Sequence, residues 1–456
     1  MSKTFRPYDP DQLLVLPPSV REWLPPDHLV YFVSDVIDTL DLSRIYDSYD
    51  EERGFPPYHP LLMTKIILYG QVVGVRSSRK IQRACLEDVG FRVLCAGASP
   101  DFRTISDFRK RHLKALADLF TQVLQLCKTA GLVKLGHVAI DGTKVKGNAS
   151  KHKAMSYSRM VEEEKRLRRE VERLFAQAAA EDAEEDRRFG KDSAGEDLPE
   201  ELRRRESRLK KIQEAKAALE AKAREEAEAA GAQKPEEAKP EAKAQRNFTD
   251  PESRIMLGSE KAFVQGYNAQ LAVDAEHQII VAEDVVQQSN DKNLLVRMVE
   301  AVCDRVGEAP GAVSADAGYW TEADVERLEW YEIDAYVAPE KVRHREWREA
   351  PRTEGPPPEG ASTKERMRHK LRTAEGRAQY DRRKVTVEPV CGQMKDVIGL
   401  RQFLLRGHEN VRGEWRLGCT AHNLLKLYRA CRAGVTSVKE VLAAAKTGVE
   451  AVPATA

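Results

Sequence analysis

Residues 155–245 constrain the fold more than any other part of the chain. The stretch is built mostly from Glu, Lys, Arg and Ala with almost no aromatic side chains, so it adds length without adding core. Met160, Leu167, Val171, Leu174 and Ala178 recur in it at three- and four-residue steps, as do Leu202, Leu209, Ile212, Leu219 and Ala223. That spacing predicts two charged helices. The segment FGKDSAGEDLPEE separates them, which favours an antiparallel helical hairpin or coiled coil, and GAQKPEEAKPEAKAQ after Ala230 reads as disordered. A solvated spacer and a dimerising or DNA-guiding arm are both compatible with this pattern.

The 456 residues suffice for two to four structural units. Their 74 Lys+Arg against 73 Asp+Glu conceal segregation: 16 against 8 over 51–150, 30 against 43 over 151–340, and 24 against 13 over 341–456. Two basic blocks flanking an acidic middle are the footprint of a chain that meets phosphates, although a solvated basic face would count the same. The seven cysteines are odd in number, widely spaced and never in CxxC, which argues against a disulfide framework or a zinc site and for a reducing, cytoplasmic compartment. No run of 18 apolar residues exists and MSKTFRPYDPDQ lacks the apolar centre of a signal peptide, so neither membrane insertion nor export is expected.

Texture divides the chain into an N-terminal arm (1–57), a basic all-helical unit (58–133), a first strand segment (134–154), the charged insertion (155–247), a longer α/β segment (248–432) and a tail (433–456). The helical unit contains PLLMTKIILYGQVVG, then SSRKIQRACLEDVGFRVLC with Ser77 or Ser78 as N-cap, then TISDFRKRHLKALADLFTQVLQLCKTAG closed by Gly131. Such a unit can lay one helix in a DNA groove, with Arg103, Arg109, Lys110 and Arg111 available to phosphates. An ordinary bundle with a basic face fits equally well.

Residues 137–400 read strand, strand, strand, helix, strand, helix, strand, then a later helix. Asp141 ends the first strand and Asp316 the fourth, and the late helix holds Glu388. If the first and fourth strands are neighbours, the two aspartates lie side by side and Glu388 can join them. Three converging carboxylates need cations, and hard oxygen donors suit Mg2+ or Mn2+. Such a centre serves two-metal phosphodiester chemistry. Taken singly each residue has a duller reading: a turn, a strand end, a surface glutamate.

YHPLLMTKIILYG, SSRKIQRAC, PDFRTISDFRKRH, VAIDGTKVKGNAS, TDPESRIM, FVQGYNAQLAVD, SADAGYW and VEPVCGQMK together resemble the bacterial DDE-type insertion-sequence transposases with a helical N-terminal transposase domain. The resemblance implies an α/β RNase H-like catalytic domain, a mixed sheet flanked by helices, beside an all-α N-terminal domain. It maps the catalytic and metal-binding triad to Asp141, Asp316 and Glu388. It further implies binding to terminal inverted repeats, end cleavage, and joining of the 3′-hydroxyl to target DNA, by a homodimer assembled on double-stranded DNA in the bacterial cytoplasm, at the nucleoid when bound. A nuclease without strand transfer and a decayed DNA-binding protein are the alternatives.

Relatives carry Tyr, two residues, Arg, three residues, Glu, six residues, Lys. Tyr380, Glu388 and Lys395 keep the pattern, but four residues separate Arg383 from Glu388, and Lys384 fits the shorter gap. This leaves open which of Arg383 and Lys384 would meet phosphate. Lys395, two helical turns beyond Glu388, is placed on its face. Trp320, with Tyr319, either stacks on an unpaired base or packs in the core. The insertion falls between Asp141 and the second strand, so no function of insertions found elsewhere in relatives is carried over to it.

Overall fold

A computed structural model describes residues 19–49, 57–189, 200–232, 234–258, 262–342, 346–347 and 350–448. Most of the expected hairpin separator and parts of the N-terminal arm and C-terminal tail lie outside them.

The sheet is built from β1 (Val138–Lys146), β4 (Arg254–Leu257), β5 (Phe263–Asp274), β6 (Ile280–Val286), β7 (Ala312–Ala315) and β8 (Asp334–Val337). A separate two-stranded ribbon pairs β2 (Ala154–Ser156) with β3 (Gln245–Asn247). The five strands closest to the core run in the order β6-β5-β1-β7-β8, antiparallel from β6 to β1 and parallel from β1 to β8. β5 and β6 are almost entirely buried, as strands covered on both faces must be.

The N-terminal helices are α1 (Leu29–Ile37), α2 (Ser43–Tyr46), α3 (Pro60–Val72), α4 (Ser78–Glu87), α5 (Val89–Cys95), α6 (Phe102–Arg111) and α7 (Leu113–Thr129). Ser77 caps α4, its side chain accepting from the Lys80 N–H at 3.2 Å. Gly131 follows α7 with φ +74°, the left-handed conformation that closes a helix. Among the described residues of the arm, α1 and α2 are its α-helices.

These helices do not close a core of their own. Apolar residues from Val30 to Val441 form one cluster, because α14 (His408–Arg432) packs against α3, α7 and β6 alike. Gly413 makes this possible: a Cβ there would lie 2.8 Å from Leu113 Cγ. The side chains of Arg76 and Glu414 are 7% and 3% exposed and form an ion pair inside the joint.

The insertion forms α8 (Tyr157–Phe189) and α9 (Glu200–Ala229). Met160, Leu167, Ile212, Ala215 and Leu219 make a small core between them. Glu164 accepts from Lys216 at 2.9 Å and from Arg168 at 2.8 Å. The stretch expected to be disordered instead turns at Pro235–Glu237 and returns as β3. Its backbone is satisfied locally: the carbonyls of Ala244 and Ala242 accept from the N–H groups of Tyr157 and Ser158, a sufficient reason for order despite its composition.

The remaining helices are α10 (Leu295–Val306), α11 (Glu322–Trp330), α12 (Thr363–Arg372), α13 (Ala374–Asp396) and α15 (Val438–Gly448). Thr321 caps α11, accepting from the Asp324 N–H at 3.1 Å. All seven cysteines are free thiols. No helix among the described residues is long and apolar enough to cross a membrane.

Candidate active site

β1 and β7 place two aspartates abreast. Their parallel register pairs Ile140 with Ala315, so Asp141 and Asp316 are the next residues on neighbouring strands. Gly142 N–H donates to Asp141 Oδ1 and Gly318 N–H to Asp316 Oδ1, each at 2.8 Å. Burial pushes the Asp141 carboxyl up to about 7; Arg383 opposes the shift, while Asp316 and Asp291 add to it.

The helix α13 supplies the third carboxylate. Glu388 is followed by Pro389 within the helix. A proline there has no N–H for the carbonyl four residues back, that of Val385. Gln278 fills the vacancy: its Nε2 donates to Val385 O at 2.8 Å. Gln278 is itself held from α14, where His422 Nε2 donates to its backbone carbonyl at 2.8 Å and Lys426 Nζ to its Oε1 at 2.6 Å. The turn between β5 and β6 thus pins the helix beside Glu388. Gln278→Leu is expected to destabilise the protein by about 1–2 kcal/mol, because the Val385 carbonyl loses its donor. It should also lower activity more through kcat than through KM. Denaturant melts and steady-state kinetics on DNA ends check both.

Arg383 links the carboxylates. Its Nη1 lies 3.4 Å from Asp141 Oδ2 and its Nη2 3.3 Å from Glu388 Oε1, with the arginine side chain 11% exposed. Arg383 therefore reaches the carboxylates, whereas Lys384 pairs with Asp381 at 3.2 Å. The four-residue gap has not removed Arg383 from the carboxylates. Tyr380 is close enough for Arg383 to lie 5.9 Å from its ring centre. Lys395 is partly exposed, and its charge acts on half-buried Cys391, as do those of Asp141 and Glu388.

A cleft of about 540 Å³ opens beside Asp316 and Arg383. Trp347 and Tyr380 line it, their rings 5.3 Å apart and edge to face, and Lys341, Arg368, Arg372 and Lys384 outnumber Glu340 and Glu346 along its rim, Arg368 being paired with Glu340. Tyr319 is fully buried and donates its hydroxyl to Gln270 Oε1. Trp320 packs, partly buried, against the core. The aromatic wall near the site is thus Trp347 and Tyr380, and Trp320 follows the core reading.

The basic helical residues divide. Arg103, Lys110 and Arg111 on α6 are exposed, with Lys110 3.8 Å from Asp107. Arg109 turns inward, donating to Arg76 O at 3.0 Å and lying 3.4 Å from Ser78 Oγ. This is a correction to the sequence expectation: Arg109 braces α6 against the start of α4 and is shut off from phosphates. The spacing of RKR showed charge but not the face each residue takes.

Sequence reasoning missed Asp291, Lys144, Asn268 and Gln270. Asp291 precedes α10 and its Oδ1 accepts from Asn268 Nδ2 at 2.7 Å, Gln270 Nε2 at 3.0 Å and Lys144 Nζ at 3.4 Å. Burial loosens the proton on Lys144, and Asp291, Asp141 and Asp316 counter the effect. Alternation along β1 and β5 was the available signal: Gly142 faces Gln270 and Lys144 faces Asn268 in register.

Residues 18–111 match a family model described as a transposase domain (DUF772), and residues 353–428 match one described as a transposase DDE domain. Over these two segments the chain is similar to DDE-type insertion-sequence transposases. The DDE match includes Tyr380, Arg383, Glu388 and Lys395 and begins after both aspartates. No curated protein and no solved structure matches the chain.

Proposed function

We propose that the protein binds the terminal inverted repeats of its own element, hydrolyses a strand at each end and joins the exposed 3′-hydroxyl to target DNA. The observation that carries this reading is the placement of Asp141 and Asp316 one position beyond the Ile140–Ala315 pair of adjacent parallel strands, with Arg383 tying Asp141 to Glu388. The mixed sheet in the order β6-β5-β1-β7-β8, with carboxylates at the ends of β1 and β7, supports an RNase H-like reading of the catalytic domain.

The donor chemistry fits Mg2+ or Mn2+. Asp141 and Asp316 offer only hard oxygens, and burial raises the proton affinity of Asp141 even with Arg383 beside it. Among the described residues no three acidic, histidine or cysteine side chains converge tightly enough to hold an ion as they stand; the counter-charges present are Arg383 and Lys144. When bound, divalent ions supply an activated oxygen nucleophile and stabilise the leaving oxygen. Asp141 and Asp316 would share one ion and Glu388 would complete a second site. Arg383 neutralises Asp141 and Glu388 meanwhile and is placed to meet a phosphate, with Lys395 further along the same helix. The cleft beside Asp316 would take a DNA strand, its phosphates along the basic rim and an unpaired base against Trp347 and Tyr380. Exposed Arg103, Lys110 and Arg111 would hold flanking duplex. Two ends call for two copies, so a dimer on DNA is expected.

Pre-cut and intact end substrates with Mg2+ test the reading. Wild type should yield both cleavage and strand-transfer products, and Glu388→Gln neither. Cleavage without joining would leave a nuclease, and full activity in Glu388→Gln would remove Glu388 from the site.

A further inference from the structure

Asp291 lies outside the assigned triad, and its surroundings point to a cation. Its Oδ1 is taken by Asn268, Gln270 and Lys144. A Cβ on Gly318 would lie 3.4 Å from Asp291 Oδ2 and 2.9 Å from Asp316 Oδ1. Oxygens of two carboxylates therefore border one opening that glycine leaves clear. A Cβ on Gly142 would meet Gln270 Nε2 at 2.5 Å, Asp291 Oδ1 at 2.6 Å and Asn268 Oδ1 at 3.1 Å. Asn268 is fully buried, and its Oδ1 has no hydrogen-bond partner among the described residues. A buried acceptor without a donor, bordering the same space at Gly142 as Asp291 Oδ1, is costly unless a cation or its bound water fills the gap.

We propose that Asp291 is a fourth carboxylate of the metal centre, sharing a divalent cation with Asp316 and Asp141, with Asn268 Oδ1 turned to the same ion or to one of its waters. The proposal rests on the DDE reading above. It makes the centre a set of three aspartates and one glutamate, with Asp291 and Glu388 contributed from outside the two strands that carry Asp141 and Asp316. Lys144 supplies the counter-charge at Asp291 while no ion is bound. Gly142 and Gly318 are then required for the space they leave beside Asp291.

The test is Mn2+ binding to the full-length protein without DNA, followed by electron paramagnetic resonance and calorimetry, with circular dichroism confirming each variant's fold. Asp291→Asn should weaken Mn2+ at least about tenfold, as should Asp141→Asn. Gly318→Ala should weaken it too, by filling the space between Asp316 Oδ1 and Asp291 Oδ2. Asp291→Cys should shift preference from Mg2+ toward Cd2+, a change that a merely structural aspartate would not produce. If Asp291→Asn and Gly318→Ala bind Mn2+ like wild type while Asp141→Asn does not, the proposal is overturned and the triad stands. If wild type itself binds no Mn2+, or Asp141→Asn binds and cleaves normally, the DDE reading falls and the proposal with it. Should Asp291→Asn fail to fold, Asp291→Cys carries the decision.

Discussion

Asp141→Asn is expected to reduce end cleavage to below about a thousandth of the wild-type rate and, in the same protein without metal, to raise stability above pH 7. The second effect follows from the position of its carboxyl, pushed from 3.8 up to about 7 mainly by burial. In the unfolded chain the group ionises near its ordinary value, so between the two values the unfolded state has lost a proton that the folded state keeps. Stability from Asp141 is fully present below about pH 4, falls as pH rises toward 7, and is flat above. Three units at about 1.4 kcal/mol each set an upper range near 4 kcal/mol; with the side chain 20% exposed, about 2–3 kcal/mol is the expectation. Asparagine has no proton to lose. Its melting temperature should therefore exceed wild type by a few degrees at pH 8.5 and match it at pH 4, and saturating Mn2+ should narrow the gap by favouring ionised Asp141. Thermal melts at both pH values, with and without Mn2+, decide this. Equal melting temperatures at pH 8.5 would mean that Asp141 is ionised at little cost.

Arg76→Ala is expected to produce the largest loss of stability, about 3–5 kcal/mol, because it leaves Glu414 charged and buried. Arg76 reaches the carbonyls of Gly399 and, at 3.2 Å, Gln402, and its Nη2 pairs with Glu414. Glu414 also accepts from the N–H groups of Leu404 at 3.0 Å and Leu405 at 2.9 Å. One ion pair thus ties the start of the α4 region to the loop after α13 and to α14. Replacing both partners, as Arg76→Met with Glu414→Leu, should recover part of the loss. Recovery stays incomplete because the N–H groups of Leu404 and Leu405 then have no acceptor. Denaturant unfolding of wild type, single and double variants measures each increment. A single variant as stable as wild type would show that water reaches the pair.

Much of the catalytic half was legible in the chain because strands advertise themselves by apolar runs and turns. HVAIDGTKV and GAVSADAGYW placed Asp141 and Asp316 on strands that do pair, and the proline after Glu388 did not hide its helix. What stayed hidden depends on side-chain direction across distant segments. Arg383 and Lys384 are adjacent and equally basic, yet only the first reaches Asp141 and Glu388, and nothing in local spacing distinguishes them. Arg109 reads as a DNA contact until α4 is seen beside it. Asp291 sits in the polar run SNDKN before a helix, where an aspartate usually signals a turn or a cap. Its importance appears only once Asn268 and Gln270 arrive from β5. The common core of the N-terminal helices and α14 was equally invisible, since the partners are some 300 residues apart in sequence, as Cys127 Sγ against Asn423 O illustrates.

The ribbon at the root of the insertion bears on how such a chain can change over time. Ala154 faces Asn247 across β2 and β3, so about ninety residues depart and return through neighbouring positions roughly 5 Å apart. Helices of 33 and 30 residues extend about 45–50 Å, comparable to some fourteen base pairs of duplex at 3.4 Å each. An arm closed at its root can be trimmed, lengthened or exchanged in evolution without shifting the strand that carries Asp141, because neither end of the splice would have to move. The length of the arm and the chemistry at the centre can therefore vary independently.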